Sequence, residues 1–223
     1  MMGSTVKLRA GDGHELDAYV AQPNGKPRGG LVVLQEIFGV SQHIRSVADR
    51  FAQEGFYSVA PALFDRVERE VELADDEAGV KKGIVIAQKL SIDNAVKDVD
   101  AALAYAGKAS GKPAGVVGYC YGGTLAWLSA TRLAPAAAVG YYGGHIASFA
   151  GEKPRVPVML HFGKHDAHIP ESDVAKVRQA HPEVEIYWYE AGHAFNNDSR
   201  ASYNQKVAQE AMARTLSFFA RHL

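Results

Sequence analysis

The feature that most constrains the fold is an alternation between short apolar runs and longer segments with helical periodicity. Runs such as GGLVVLQE, PAGVVGYC and RVPVMLHFG are continuously apolar, which is typical of strands buried on both faces of a parallel sheet. Between such runs, apolar side chains recur at helical spacing, as in SQHIRSVADRFAQEG. The pattern predicts an α/β fold in which helices cover both faces of a mostly parallel central sheet.

The remaining predicted elements continue this alternation to the end of the sequence. They are an N-terminal hairpin over TVKLRA and ELDAYVAQP, strands at FYSVAPAL, PAAAVGYYGG and VEIYWYEAG, and helices over SIDNAVKDVDAALAYAGK, YGGTLAWLSATRL and SYNQKVAQEAMARTLSFFARHL. No Pro-, Gly- or Ser-rich linker and no repeat interrupts them, so a single domain over residues 1–223 is expected. The charged segment 64–89 breaks the rhythm and is interpreted either as a lid or as a solvated helix pair.

Composition argues against several classes of function. The 223 residues carry 24 basic and 25 acidic side chains, so there is no cationic excess for nucleic acid or a membrane. One cysteine cannot form an internal disulfide, and the N-terminus lacks the apolar core of a signal peptide. No apolar run approaches the ~20 residues that span a bilayer. A soluble, cytoplasmic protein is therefore expected, with neither nucleic acid nor a membrane as its partner.

The only cysteine, Cys120, lies in GYCYGG, directly after a predicted strand. Gly118 and Gly122 flank it in the pattern G-x-S-x-G, with cysteine in place of serine. This pattern is typical of a sharp strand-to-helix turn that exposes a nucleophile at the carboxyl edge of a sheet. The N–H of Tyr121 would then face the reacting oxygen, and the helix N-terminus would favour a thiolate. The alternative is a buried, inert cysteine that packs as a small hydrophobic side chain.

Candidate partners for this nucleophile follow it in the order acid, then histidine, that such a turn predicts. Asp166 lies just past the strand in RVPVMLHFG, and His193 lies in the loop after VEIYWYEAG. Both come at the carboxyl ends of strands, which meet at one edge of a parallel sheet. The order predicts a Cys120–His193–Asp166 triad for nucleophilic catalysis. Taken singly, Asp166 fits a turn or cap residue and His193 fits a surface loop residue.

A cluster of His161, His165, Asp166 and His168 suggests a competing metal site, since imidazole and carboxylate groups are common metal ligands. His161 and His165 flank a strand end rather than sharing one helical face, and the sequence has no H-E-x-x-H motif. His161 is therefore expected inside the sheet. His165 and His168 are expected in the loop that positions Asp166, and a metallohydrolase remains the weaker hypothesis.

The segment LQEIFG, residues 34–39, is the other polar feature at the predicted active edge. Glu36 follows an apolar strand and is expected beside Cys120. The N–H of Ile37 is a candidate for the second oxyanion donor, because that donor comes from an early strand–helix loop. Otherwise Glu36 fits a solvated residue at a strand end.

The segments LQEIFG, GYCYGG, GKHD and GHAFNND together resemble the dienelactone hydrolases, also called carboxymethylenebutenolidases, which have the α/β-hydrolase fold. The resemblance covers most of the chain. It implies that Cys120 is the nucleophile, that His193 is the general base and acid, and that Asp166 orients His193. It also implies that Glu36 holds the thiol at rest and takes its proton when substrate arrives.

The resemblance further implies that Ile37 and Tyr121 supply the backbone oxyanion donors and that neither metal nor organic cofactor is used. The expected reaction is hydrolysis of a lactone or ester, with dienelactone giving maleylacetate. The expected assembly is a monomer or weak dimer.

The substrate contacts depart from the best-known members of that family, which bind the dienelactone carboxylate with two arginines. Asn197 stands at one of these positions, and Arg66 and Arg69 are the arginines in the segment that would supply the other. Phe195 and Asn197 are the candidate substrate contacts. Asn197 favours a general carboxylesterase or thioesterase as the neighbouring alternative. The alternative of a different class is a catalytically silent α/β-hydrolase fold that acts as a binding protein.

Overall fold

The structure is a computed structural model that describes residues 3–223, and its centre is one eight-stranded sheet. The strands are β1 (Ser4–Arg9), β2 (Glu15–Ala21), β3 (Gly29–Leu34), β4 (Phe56–Pro61), β5 (Ala114–Tyr119), β6 (Ala138–Tyr141), β7 (Val158–Gly163) and β8 (Glu185–Tyr189). Their order across the sheet is β1-β2-β4-β3-β5-β6-β7-β8. The pairs from β4 to β8 are parallel, whereas β2 pairs antiparallel with both β1 and β4. The predicted hairpin and mostly parallel sheet are confirmed.

Six α-helices connect or follow the strands within residues 3–223. They are α1 (Gln42–Gln53), α2 (Glu77–Lys89), α3 (Ile92–Ser110), α4 (Tyr121–Arg132), α5 (Glu171–Ala180) and α6 (Gln205–His222). Phe51 of α1 packs edge-on against Phe219 of α6, with 6.4 Å between ring centroids, while α3 contacts α4 across the other side of the sheet. Helices therefore cover both faces, as predicted. None of the helices formed by residues 3–223 combines the length and apolar character needed to cross a bilayer.

Helix α5 is absent from the sequence-based prediction because its sequence, ESDVAKVRQA, carries few apolar residues. Only Val174 and Val177 are buried, and these lie three residues apart on a single face. A helix that buries so little presents too short an apolar stripe to be distinguished from a polar loop.

The segment 64–89 contains one α-helix, α2, after a short 3-10 turn over Leu63–Arg66, and not the solvated helix pair that was one interpretation. Helix α2 begins after Asp76, whose side chain accepts a hydrogen bond from the N–H of Gly79 at 2.7 Å. Ile37 lies in the loop after β3, and a Cβ placed on Gly83 would lie 2.1 Å from its carbonyl oxygen. The glycine therefore lets α2 pack directly on the backbone of this loop. The segment therefore covers the loop after β3. Its movement as a lid stays a hypothesis.

Candidate active site

Cys120 lies between the last residue of β5 and the first residue of α4, in a backbone conformation that is unusual for a residue with a side chain. Its φ is +52° and its ψ is −112°. A Cβ on Gly118 would lie 1.9 Å from the carbonyl oxygen of Gly122, and a Cβ on Gly122 would lie 2.5 Å from that of Leu34. Both glycines are therefore required by the tight turn, which leaves the Cys120 side chain half-buried at the carboxyl edge of the sheet.

The structure brings Cys120, His193 and Asp166 into one hydrogen-bonded chain. The Nε2 atom of His193 lies 3.2 Å from Cys120 Sγ, and its Nδ1 atom lies 2.7 Å from Asp166 Oδ2. A carboxylate only accepts, so Nδ1 carries a hydrogen. The other oxygen of Asp166 accepts from the N–H of His168 at 2.8 Å, which fixes the carboxylate. Asp166 follows β7 and His193 follows β8, as the strand order requires.

The surroundings of His193 favour its charged form. Burial alone would lower the pKa of His193, but the hydrogen bonds with Asp166 and Cys120 outweigh that effect and raise the pKa to about 10. A doubly protonated imidazole donates to Asp166 through Nδ1 and to the sulfur through Nε2. The geometry is that of an imidazolium beside a potential thiolate.

The loop that carries His193 is fixed by aromatic packing. Ala194 has a φ of +59°, and Phe195 is fully buried with its ring 5.2 Å from that of Tyr142. The ring of Tyr142 also lies 5.1 Å from the imidazole of His193. This placement argues against the direct substrate contact expected for Phe195, because no part of its side chain is accessible. Phe195 instead supports the backbone that presents His193.

The backbone N–H groups of Ile37 and Tyr121 donate to no acceptor within residues 3–223. Tyr121 is the first residue of α4, where the N–H lacks an intrahelical partner. The loop that contains Ile37 is tied to the turn through the N–H of Gly122, which donates to the carbonyl oxygen of Gln35 at 3.0 Å. Gln35 is itself held, since its Oε1 accepts from the N–H of Leu63 at 3.1 Å. Both predicted donors are therefore free to bind an oxyanion.

Glu36 is almost completely buried, at 1% exposure, and its contact differs from the one implied by the resemblance. Its Oε2 accepts a hydrogen bond from Asn197 Nδ2 at 2.6 Å, whereas the hydrogen-bond partner of Cys120 Sγ is His193. Burial raises the pKa of Glu36, and the nearby His43 and Asn197 oppose that rise. Glu36 is thus hydrogen-bonded to the Asn197 side chain rather than to the Cys120 thiol.

Asn197 is fully engaged within the protein. Its Nδ2 donates to Glu36 and, at 3.2 Å, to Asp75 Oδ2, while its Oδ1 accepts from the N–H and the hydroxyl of Ser199. An amide offers two hydrogens and two lone pairs, so none is left over for a substrate. Arg200 completes the network by pairing with Asp75 at 3.1 Å. The expected substrate contact of Asn197 is therefore replaced by a link between Glu36 and the segment 64–89.

Comparison with known proteins adds independent support. The model of the dienelactone hydrolase family matches residues 16–223. A carboxymethylenebutenolidase from Pseudomonas putida is 32% identical over 230 residues, covering 99% of this chain and 97% of that protein. The chain belongs to the dienelactone hydrolase family. Another relative, carboxymethylenebutenolidase 1 of Cupriavidus pinatubonensis, is 29% identical over 99% of this chain and 97% of its own.

Solved structures agree with the family assignment. A crystal structure assigned as a dienelactone hydrolase from Klebsiella pneumoniae superposes with a TM-score of 0.83 at 32% identity, over 97% of this chain and 99% of that one. A Pyrococcus furiosus esterase shares the fold, with a TM-score of 0.71 at 15% identity over 99% of this chain and 92% of that one. The protein has the α/β-hydrolase fold and is an enzyme that acts on ester or lactone bonds.

Both arginines of the segment 64–89 contact groups of the protein itself. Arg66 forms a bidentate pair with buried Asp98, at 2.7 and 2.8 Å, and a further pair with Asp12. Arg69 donates to the carbonyl oxygen of Glu15 and lies 3.5 Å from Asp65. This family member therefore uses both arginines to fix the start of the segment.

The histidine cluster that suggested a metal site is divided among separate contacts. His161 is fully buried in β7, where its two nitrogens contact the hydroxyl groups of Tyr189 and Thr215. His165 is exposed and contacts Glu190. Across residues 3–223, no three His, Cys, Asp or Glu side chains are grouped so that they could hold a metal ion.

Sequence reasoning missed the charged residues that lie near Glu36 but outside the motifs. Asp75 gives no signal, because it is one of many charged residues in the segment 64–89. His43 also gives none, because it occupies an ordinary position in the first turn of α1.

Proposed function

We propose that this protein hydrolyses a carboxylic ester or lactone through covalent catalysis by Cys120. The observation that carries the proposal is the continuous chain from Asp166 through His193 to a cysteine held in a strained turn. A raised pKa at His193 supports it, because an imidazolium next to sulfur stabilises the reactive thiolate. A buried cysteine with a purely packing role would not require this arrangement.

The mechanism follows from these positions. The sulfur of Cys120 forms a bond to the carbonyl carbon, and the electron pair of the C=O moves to its oxygen, which the N–H groups of Ile37 and Tyr121 bind. Such donors typically contribute about 3 kcal/mol each to transition-state stabilisation. The C–O bond to the leaving group then breaks, and His193 donates a proton to the departing oxygen. Water, deprotonated by His193, attacks the acyl-enzyme and releases the acid and the free cysteine.

The two leading candidate substrates differ in their charge. The named relatives are carboxymethylenebutenolidases, which makes a dienelactone, hydrolysed to maleylacetate, the first candidate. The second candidate is an uncharged ester or thioester. It is favoured by the pairing of Arg66, Arg69 and Arg200 with carboxylates and by the saturation of Asn197. An anionic substrate would have to compete with these carboxylates for a guanidinium group.

The test measures hydrolysis of cis-dienelactone by its ultraviolet absorbance and hydrolysis of a p-nitrophenyl ester in parallel. Wild type, Cys120→Ala and the matched nucleophile variant Cys120→Ser are compared, with folding checked by circular dichroism. We expect turnover by wild type of at least one substrate and none by Cys120→Ala. Reaction of the nitrophenyl ester alone supports the uncharged substrate class. Turnover by a folded Cys120→Ala variant equal to that of wild type would overturn the assignment of the nucleophile.

A further inference from the structure

The loop that contains Ile37, residues 35–40, has part of the segment 64–89 packed along it, and we call it the donor loop. The N–H of Leu73 donates to the carbonyl oxygen of Phe38 at 3.0 Å, which joins the two main chains. Phe38 directly follows Ile37 in the sequence. The hydrogen bond therefore fixes the main chain one residue beyond the proposed oxyanion donor.

A glycine brings the two main chains together next to this hydrogen bond. Gly39 has a φ of +78° and forms an isolated antiparallel bridge with Glu72. A Cβ on Gly39 would lie 1.9 Å from the carbonyl oxygen of Val71, so no larger residue fits there without a shift of the backbone. The contact is thus main chain against main chain, and a change of side-chain rotamer cannot relax it.

Helix α2 contacts the donor loop at a further point. The Cβ that Gly83 lacks would meet the carbonyl oxygen of Ile37 itself, at 2.1 Å. Ile37 is thereby held from its carbonyl side, while its N–H donates to no acceptor within residues 3–223. Because peptide planes are rigid, fixing the carbonyl groups of Ile37 and Phe38 restricts how far the N–H of Ile37 can move.

Arg45 of α1 connects the end of the donor loop to the segment. Its guanidinium group donates to the carbonyl oxygen of Val40 at 2.7 Å. It also forms a bidentate pair with Glu72, in which one of the two contacts is 2.9 Å long. One side chain therefore holds a residue of the loop and a residue of the segment at the same time.

Two side chains of the GHAFNND loop and the residues after it connect the same two regions. Asn197 hydrogen-bonds Glu36 and Asp75 through a single nitrogen. Arg200 pairs with Asp75 and also lies over the ring of Phe38, 5.7 Å from its centroid. Both ends of the donor loop are therefore linked to the segment by polar side chains, and its middle is linked by main-chain contacts.

We propose that the segment 64–89 is a positioning element of the oxyanion site and that Gly83 is the positioning residue that sets the place of the Ile37 N–H. This inference rests on the proposed function, since an oxyanion forms only if the enzyme attacks a carbonyl group. A segment with this role stays packed on the donor loop during turnover rather than opening as a lid. A Cβ at position 83 displaces Ile37, whereas the triad, which lies in other loops, keeps its geometry.

The first test compares Gly83→Ala with the matched control Gly79→Ala in the same helix. A Cβ on Gly79 would lie 1.9 Å from the carbonyl oxygen of Ala74, so the control creates a similar clash within the segment itself. Alanine is the better helix former at both positions, so helix propensity does not separate the variants. With a p-nitrophenyl ester, we expect kcat to fall by about 10²-fold in Gly83→Ala and by less than about threefold in Gly79→Ala. Equal losses in the two folded variants would overturn the proposal.

Alkylation of Cys120 by iodoacetamide separates the oxyanion donor from the rest of the site. In that reaction the C–S bond forms as iodide leaves, so no oxyanion develops and the rate depends on the thiolate. We expect Gly83→Ala to retain the wild-type alkylation rate within about twofold while it loses ester turnover. An equal loss in both reactions would contradict the proposal, because the substitution would then disturb Cys120 and His193 as well.

A milder pair of variants serves if Gly83→Ala fails to fold. Glu72→Ala removes the carboxylate that holds Arg45 against the donor loop. Glu68→Ala is the matched control, because Glu68 pairs with Lys82 inside the segment and its side chain is about as exposed as that of Glu72. We expect Glu72→Ala to lower kcat by about threefold with alkylation unchanged, and Glu68→Ala to match wild type. Equal kcat values for the two variants would speak against a role of the segment in positioning the donor.

Hydrogen exchange followed by mass spectrometry reads the packing without a substrate. Peptides over residues 34–40 should exchange faster in Gly83→Ala than in wild type, and at the wild-type rate in Gly79→Ala. Equal exchange in wild type and Gly83→Ala would overturn the positioning role. A wild type that turns over no ester would instead overturn the hydrolase function, and the exchange result decides separately whether the segment fixes the donor loop.

Discussion

His193 and His161 both lie toward the carboxyl edge of the sheet, yet their surroundings favour opposite charge states. His193 contacts Asp166 and Cys120, and these contacts raise its pKa to about 10 despite burial. The two ring nitrogens of His161 contact the hydroxyl groups of Tyr189 and Thr215, and burial lowers the pKa of His161 to about 3. The side chain of His193 is 20% exposed, whereas His161 is fully enclosed.

The difference shows that the hydrogen-bond partner, and not burial, decides which charge state each of these two histidines favours. Burial opposes the charged form of both imidazoles. A carboxylate at Nδ1 reverses that effect for His193 and leaves Nε2 facing a nucleophile. Two hydroxyl groups satisfy both nitrogens of His161 without stabilising a charge, which makes it a structural link between β7, β8 and α6.

The largest expected effect that separates the two histidines is on turnover. His193→Ala should lower kcat/KM by about 10⁴-fold, because it removes the general base and acid. His161→Gln should leave kcat/KM within about tenfold of wild type, since His161 contacts neither Cys120 nor Asp166. Initial rates with a p-nitrophenyl ester measure both. Equal losses in two folded variants would contradict the division between a catalytic and a structural histidine.

A substitution at Asp166 should make His193 more like His161. Asp166→Asn retains the shape of the side chain but removes the charge, so the pKa of His193 should fall from about 10 toward or below its ordinary value. We expect kcat to drop by about 10³-fold because the imidazole loses its orientation and its charge stabilisation. Histidine NMR titration, with His193→Gln to assign the resonance, measures the shift. An unchanged titration would show that the Asp166 carboxylate does not hold the proton.

The triad was predictable from sequence because each of its members is fixed by a strand end. Gly118 and Gly122 mark the turn, and Asp166 and His193 follow the strands in the order that a parallel sheet imposes. The catalytic roles of these residues remain proposals. Their proximity, in contrast, could be predicted from the fold alone.

The surroundings of Glu36 were not predictable in the same way. Asn197 was interpreted as a substrate contact because the sequence does not show that Ser199, Asp75 and Glu36 use all of its hydrogen-bonding capacity. Such contacts depend on side-chain directions between segments that are far apart in the chain. Phe195 shows the same limit, since an aromatic residue two positions after a catalytic histidine fits a pocket wall or a core equally well.

Stability should respond to the two histidines in the reverse order to activity. His161→Ala should lower the free energy of unfolding by about 3 kcal/mol, because it leaves a cavity and removes a hydrogen-bond partner from two enclosed hydroxyl groups. His193→Ala should cost about 1 kcal/mol or less, since its side chain is partly exposed and borders the active site. Urea denaturation at pH 7 gives both values. A larger loss for His193→Ala would show that the triad also serves as a major structural contact.

The smallest expected effect is on the slope of stability with pH, and it has opposite signs for the two histidines. The pKa of His161 is about 3 in the folded protein and near 6.5 in the unfolded chain. Between these values the unfolded chain binds a proton that the folded protein does not, so stability falls as the pH decreases. His193, with a folded pKa of about 10, binds its proton more tightly when folded, so its stabilisation is complete below about pH 6.5 and is lost as the pH rises toward 10.

Between pH 6 and pH 4.5, His161 should therefore contribute about 1 kcal/mol per pH unit to acid destabilisation. Urea denaturation of wild type and His161→Gln over this range isolates that contribution from those of the carboxylates, which both proteins share. Parallel slopes for the two proteins would mean that water or a local rearrangement lets His161 accept a proton while the fold is intact, and the contrast between the two histidines would then lie in their access to the nucleophile alone.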